Sequence, residues 1–339
     1  MSSGDDEDQA ARRVRTMQDL LRFCTQGTVS EDAPAPSPLD PERAAWLQNA
    51  LKAFSVDIVQ EMLQAISNIK KELQVLSQSD ADFNRGQDSS IYSIVSSVDT
   101  LIERTEDLDI AADFDKIGGF DIIPPLLDSG YSQLQIKGCE LVGELVQNHE
   151  PCQAAALRHG VLEMLIKLLD ESTETVKPKA LFACSCLIRS NLEALNIFVN
   201  KLDGFSVLLR AMQTSGEQAE RLRTKASFLL SLIIGGHSDF KEILLRMGFI
   251  EQMVALLHQE WDQSHEHLLS SLLNFMTDFP QAAEEALRPQ LKFRALLNQK
   301  LVRTQGKPEF QEEEGYCKAI FNLLSDSASD TGITTEMER

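Results

Sequence analysis

The sequence predicts an all-α solenoid of helical repeats, and three observations carry the prediction. Leu, Ala, Gln and Glu fill its runs, and aromatics make up only 6% of 339 residues, a balance that favours helix over strand. A short phrase, a glycine followed by a large apolar residue and by apolar residues one and two turns on, occurs at Gly119, Gly160, Gly204 and Gly248, spaced 41, 44 and 44 residues apart. A second phrase, "KGCELVGELV", "KALFACSCLI", "KASFLLSLII" and "HLLSSLLNFM", starts at Lys137, Lys179, Lys225 and His267, spaced 42, 46 and 42. Two phrases that hold one joint period indicate stacked units, and the period is that of armadillo or HEAT repeats. The expected fold is therefore an armadillo-like solenoid with N-terminal and C-terminal capping helices, since the end units must present polar outer faces.

Residues 1–39 are expected to be a flexible segment, because "GTVSEDAPAPSPLDP" and the charged stretch before it carry too little apolar surface to order themselves. Within it, residues 16–26 form a short amphipathic element in which Met17, Leu20, Leu21 and Cys24 share a helical face behind Thr16. It reads equally as a helix docked on its own domain and as a binding motif. Capping helices are expected over 40–112. Pro41 suits a first helical turn, and Trp46, Leu47, Ala50, Leu51 and Phe54, then Ile58, Met62, Ile66 and Ile69 up to Leu76, recur at helical spacing.

The polar "SQSDADFNRGQDSS" interrupts that pattern. Four armadillo-like repeats follow over 113–280, each expected as a glycine-started helix, a loop and a second helix. All four glycines are expected to turn the chain through the left-handed conformation. Residues 281–324, where Pro289 stands in the expected glycine's place, read as C-terminal capping helices, and 325–339 as a disordered tail.

The charge balance, 32 basic against 52 acidic residues for a net charge of -20, repels phosphate backbones and anionic lipids, so neither nucleic acid nor membrane is an expected partner. No apolar run reaches the roughly 18 residues of a membrane span, and the first fifteen residues do not read as a signal. A cytoplasmic protein with possible nuclear access is expected. The six cysteines form no CxxC pair and read as free thiols.

No catalytic, cofactor-binding or metal-binding residue is expected, and an enzyme is not predicted. "HEHLL" places Leu269 where HExxH needs its second histidine, and His265 and His267, two apart on a helix, point in different directions. No phosphate loop, dinucleotide turn or nucleophile elbow occurs. A solenoid with polar ends is expected to be monomeric.

Writing the second phrases in register separates a buried stripe from a variable one. The variable stripe reads Lys137, Glu140, Glu144; Lys179, Phe182, Cys186; Lys225, Phe228, Leu232; His267, Ser270, Asn274. In armadillo proteins the third helix of each repeat lines the concave groove, which makes this stripe the candidate binding face. Lys137, Lys179 and Lys225 near the helix starts, where the macrodipole disfavours cations, point to an acidic partner surface, though single surface lysines commonly pair with nearby carboxylates. Peptide-clamping armadillo proteins repeat a groove asparagine and tryptophan. Here only Asn274 fits, so a folded partner anchored on Phe182 and Phe228 is favoured over an extended peptide.

The strings "AADFDKIGGF", "KALFACSCLIRS", "FVNKLDGFSVLLRAMQ", "RTKASFLLSLIIGGH", "RMGFIEQMVALL" and "HEHLLSSLLNFMTDFP", with "MQDLLRFC" and "ERAAWLQNAL" before them, resemble the heat-shock-protein-70-binding protein family of nucleotide exchange factors. The likeness runs from about residue 16 to residue 325. It implies that the concave face embraces one lobe of the ATPase domain of heat-shock protein 70 and displaces it, so that ADP leaves. Carried over residue by residue, it implies partner contacts at Ala111, Ala112, Glu140, Lys179, Phe182, Lys225, Phe228, Asn274 and Asp278, with Lys137 on the same stripe. It implies too that the element at Leu20, Leu21 and Phe23 helps client release by engaging the chaperone's peptide-binding site. The alternative is an armadillo scaffold or adaptor that binds peptides or folded partners and changes no nucleotide exchange.

Overall fold

A computed structural model describes residues 41–78, 84–214, 216 and 219–330, with backbone only for 41–57, 84–86 and 326–330. The element at Leu20, Leu21 and Phe23 lies outside the described residues. The chain divides into two units, Met1–Ile58 and Val59–Arg339. The described part of the first is the start of helix α1 (Pro41–Gln78), which carries proline at its first position, where the missing N–H costs nothing.

In the second unit the rest of α1 runs antiparallel to α2 (Asn84–Thr105). Arg104 pairs with Glu61 at 2.7 Å, Asn68 Nδ2 donates to Ser97 Oγ at 2.8 Å, and Ser90 Oγ donates to Glu72 at 2.7 Å. Met62, Ile69, Ile94, Val98 and Leu101 are fully buried.

Each repeat holds three helices, one more than the sequence reading allowed. The first is α3 (Leu108–Phe114), α4 (Ile123–Leu127) and α5 (Ser132–Val146); the second is α6 (Glu150–Arg158), α7 (Val161–Glu171) and α8 (Lys177–Ile188). The third is α9 (Leu192–Asn200), α10 (Gly204–Gln213) and α11 (Ala219–Gly236); the fourth is α12 (Lys241–Arg246), α13 (Phe249–Leu257) and α14 (Ser264–Met276). A further unit, α15 (Pro280–Ala286), α16 (Phe293–Thr304) and α17 (Gln311–Asp330), follows at the C-terminal end. Helix α3 crosses the expected boundary at residue 113, and α17 extends to Asp330 through the start of the segment expected to be disordered. The third helices stack in order, α2 on α5, α5 on α8, α8 on α11, α11 on α14 and α14 on α17.

The short first helices have their own start signals. Asp107 accepts from the Asp109 N–H, His149 Nδ1 from the Cys152 N–H, and Asn191 from the Ala194 N–H, each satisfying a donor that a helix N-terminus leaves free. The glycines divide into two roles. Gly160 and Gly248 have φ of 66° and 71° and make the expected left-handed turn. At the other two repeats the residue before does so, Gly118 at 74° and Asp203 at 50°. Gly119 and Gly204 are needed for space, because a Cβ would stand 2.6 Å and 2.4 Å from the rings of Phe114 and Phe198. In the last unit Lys292, not Pro289, holds the left-handed position with φ of 49°.

The C-terminal unit is fastened by buried polar groups. Lys300 Nζ lies 3.1 Å from Glu313 and 2.7 Å from His265 Nδ1, and the Trp261 indole N–H donates to Glu313 at 2.9 Å. Burial and the Lys300 ammonium push the His265 pKa down to about 4 from the ordinary value of about 6.5. Between those values the unfolded chain binds the proton and the folded chain does not. Stability is therefore lost as pH falls from about 6.5 to about 4, at up to about 1.4 kcal/mol per pH unit. His265→Gln keeps an acceptor for Lys300 and removes this titration. Urea unfolding at several pH values is expected to show the wild type losing stability relative to the variant across that window, and parallel curves would contradict it.

Candidate functional site

The variable stripe is a continuous chain of contacts across the stacked third helices. It begins on α2, where Asp99 pairs with Lys137 at 2.7 Å. Lys137 also pairs with Glu140, one helical turn on, at 2.9 Å, and Glu140 reaches across to Lys179 on α8 at 2.6 Å. Burial alone would raise the Glu140 pKa, but the hydrogen bonds from Lys179 and Lys137 reverse this and hold it below the usual carboxylate range. Exposed pairs of this kind contribute about 0–1 kcal/mol each, so their main effect is to order four side chains in a row.

The row changes character at α8. Phe182 is 39% exposed and packs against α5, where a Cβ on Gly143 would stand 2.7 Å from its ring. Glycine inside a helix costs about 0.5–1 kcal/mol relative to alanine, and the space for Phe182 is the compensation. Lys225 on α11 places its ammonium 5.4 Å from the centroid of this ring, a contact worth roughly 0.5–2 kcal/mol. Among the described residues no carboxylate pairs with Lys225. Burial, then Arg221 and Lys179, pull its pKa below the usual lysine value. A cation so placed gains when an anion from outside arrives.

Beyond Lys225 the stripe is apolar, then neutral. Phe228, 42% exposed, meets the His267 ring edge-on at 5.4 Å, and Leu232 is exposed one turn on. Ser231 and Ser270 hydroxyls lie 3.0 Å apart, and Asn274 Nδ2 donates to Ser231 O and Oγ at 3.3 Å and 3.1 Å. The Asn274 amide is therefore engaged by its own neighbour, unlike an asparagine free to clamp a peptide backbone.

The structure thus joins Lys137, Glu140, Lys179, Phe182, Lys225, Phe228 and Asn274 on one face. Ala111 is corrected: it is 1% exposed, so its methyl packs inside and cannot touch a partner. Ala112, half-buried on α3, and Asp278, an exposed residue in the left-handed turn after α14 with φ of 53°, stand apart from this chain of contacts. Two of the three lysines expected to meet an acidic partner are already paired internally. Sequence reasoning missed Asp99 and Gly143. Gly143 had a signal, a glycine in the middle of an apolar helical phrase. Gly143→Ala is expected to leave thermal stability within about 1 kcal/mol, since better helix propensity offsets the displaced ring, yet to weaken partner binding because Phe182 and Lys225 shift. Equal binding by variant and wild type would contradict the role given to Phe182.

Other chemistry leaves little trace. Among the described residues no group of three or more His, Cys, Asp or Glu is placed to hold a metal ion, and no helix is long and apolar enough to cross a membrane. Burial pushes the thiols of Cys139, Cys152, Cys184 and Cys317 up to about 12, which leaves them unreactive near neutral pH.

The chain is similar to known proteins over most of its length. Residues 110–242 match the family model of the SIL1/FES1/HPBP1 C-terminal domain. The chain is 34% identical over 327 residues to Hsp70-binding protein 1 of Mus musculus, covering 94% of this chain and 88% of that protein. It is 26% identical over 176 residues to the Hsp70 nucleotide exchange factor FES1 of Eremothecium gossypii, covering 50% of this chain and 60% of that one. A designed armadillo repeat protein, YIII(Dq)4CqI, matches with a TM-score of 0.56 at 16% identity, over 75% of this chain and 98% of that chain. That last likeness is one of fold alone.

Proposed function

The chain belongs to the family of Hsp70-binding protein 1, and on that footing we propose that it is a nucleotide exchange factor for Hsp70, a co-chaperone and not an enzyme. It binds the chaperone's ATPase domain through the third-helix face and promotes ADP release. The observation that carries the reading is the contiguous stripe from Asp99 to Asn274, in which Lys225 pairs with no carboxylate among the described residues and sits over the exposed ring of Phe182. Exposed aromatics are enriched at interface centres, a lysine left unpaired beside them gains a charge-assisted contact when an anion docks, and the ordered pairs around them form a polar rim.

The mechanism is a population shift. An ATPase domain holds nucleotide between lobes, and a protein that binds the opened form better than the closed one weakens nucleotide binding by the same factor that nucleotide weakens the protein. Lys225, Phe182 and Phe228 supply the differential contact, and Ala112 leaves room for close approach at the N-terminal end of the repeats. The protein acts as a monomer in the cytoplasm. The segment containing Leu20, Leu21 and Phe23 acts separately, on the chaperone's peptide-binding site. The test is a thermodynamic cycle by calorimetry on the purified ATPase domain. Affinity for this protein is expected to fall when ADP is saturating; an affinity that ADP leaves unchanged would contradict exchange activity and favour a passive scaffold.

A further inference from the structure

At the C-terminal end of the stripe a pocket of about 320 Å³ opens between α14 and the start of α17, walled by Trp261 and Phe310 and edged by Glu266, His267, Glu309 and Glu313. The Trp261 and Phe310 rings meet edge-on at 5.2 Å and form an aromatic corner. Three carboxylates line this space, and no lysine or arginine does. Their charges are unequally satisfied. Glu313, buried at the base, is held by Lys300 and by the Trp261 N–H. Glu266 has no lysine or arginine paired with it among the described residues; burial raises its pKa, His267 beside it pulls the other way, and Glu312, hydrogen-bonded to it, and Glu313 add to the rise.

The rings already accept cations from their own chain, Lys307 among them, whose ammonium lies 5.7 Å from the Phe310 centroid. The Arg303 guanidinium sits 4.8 Å from the Trp261 centroid and 5.3 Å from that of Phe310, while Trp261 stays 41% exposed. Aromatic faces with adjoining carboxylates suit a guanidinium or ammonium group, which gains both ring and ion contacts once desolvated. The pocket is also continuous with the stripe, because His267 edges the pocket and packs against Phe228.

We infer that this pocket takes an arginine or lysine side chain from the surface of the bound chaperone, so that one interface is read with opposite signs at Lys225 and at the pocket beyond it. Lys225 receives an anionic group of the partner, and the pocket, walled chiefly by residues of the next two units of the stack, receives a cationic one. Such a pairing fixes the register of a folded partner on a repetitive scaffold, since sliding by one repeat would set like charges against each other. The inference rests on the exchange-factor reading for the identity of the partner.

Two measurements on the full chain test it. In the first, the Trp261 indole N–H resonance, distinguished from that of Trp46 by Trp46→Phe, is followed by NMR during titration with N-acetyl-arginine amide. N-acetyl-citrulline amide, its neutral analogue, is the control. A concentration-dependent shift with the arginine compound alone, lost in Glu266→Gln/Glu309→Gln, is expected; equal shifts with both compounds, or none, would overturn the cation site. In the second, that double variant is expected to bind the Hsp70 ATPase domain about tenfold more weakly than wild type. Unchanged affinity would overturn the docking role while leaving the exchange function standing. Failure of the wild type to bind the domain would overturn the function, and the docking role with it.

Discussion

The double variant Ala112→Arg/Lys225→Ala is expected to keep its helical content and thermal midpoint while losing accelerated release of ADP from Hsp70. Both positions tolerate the change structurally. Ala112 is only half-buried on α3, so an arginine can reach solvent, and arginine is a good helix former. Lys225 forms no ion pair among the described residues, so its removal strands no carboxylate and forfeits chiefly a ring contact with Phe182. Binding should nonetheless suffer heavily. Loss of a central anchor in an interface costs about 2 kcal/mol or more, roughly thirtyfold in affinity, and a bulky charge at Ala112 adds a clash. Lys179→Ala is the informative control, because Lys179 already pairs with Glu140 and should cost less than Lys225→Ala. Equal losses at Lys179 and Lys225 would contradict the distinction between paired and unpaired lysines.

Lys300→Ala is expected to have the largest effect on stability, about 3–5 kcal/mol. The lysine and Glu313 are only 5% and 3% exposed in their side chains, and removing one partner of a buried pair leaves a charge without compensation. The joint replacement Lys300→Met/Glu313→Gln should recover most of the loss, since it removes both charges and keeps similar volumes. Denaturant unfolding of the two variants checks this. A double variant no more stable than Lys300→Ala would show that the pair's hydrogen bonds to Trp261 and His265, and not the stranded charge, carry the effect.

The repeats were legible because the glycine-started phrase and the third-helix phrase recur at a fixed offset, and because the third helices, 12 to 18 residues long, show a period. The first helices, α3, α6, α9 and α12, were not. They run from six to nine residues, too short for an amphipathic stripe to emerge from noise, although the caps at Asp107, His149 and Asn191 recur every 42 residues. The glycine pattern was legible, but its cause was read too uniformly. Gly119 and Gly204 respond to Phe114 and Phe198 on the preceding helices, a packing constraint that only three-dimensional neighbours reveal.

The variable stripe followed from register alone, yet the state of its charges did not. Which lysine stays unpaired depends on Asp99 and Glu140 one helix away, and Ala111 turns inward where Ala112 does not. The C-terminal pocket escaped the sequence entirely. Trp261, Glu266 and Phe310 belong to segments up to 49 residues apart that share no periodic phrase.

Release of a fluorescent ADP analogue from Hsp70, followed by stopped flow with and without this protein, tests the central claim most directly. Release is expected to quicken with protein concentration and to saturate, and Ala112→Arg/Lys225→Ala is expected to return it to the unassisted rate. A release rate indifferent to the wild-type protein would contradict the account.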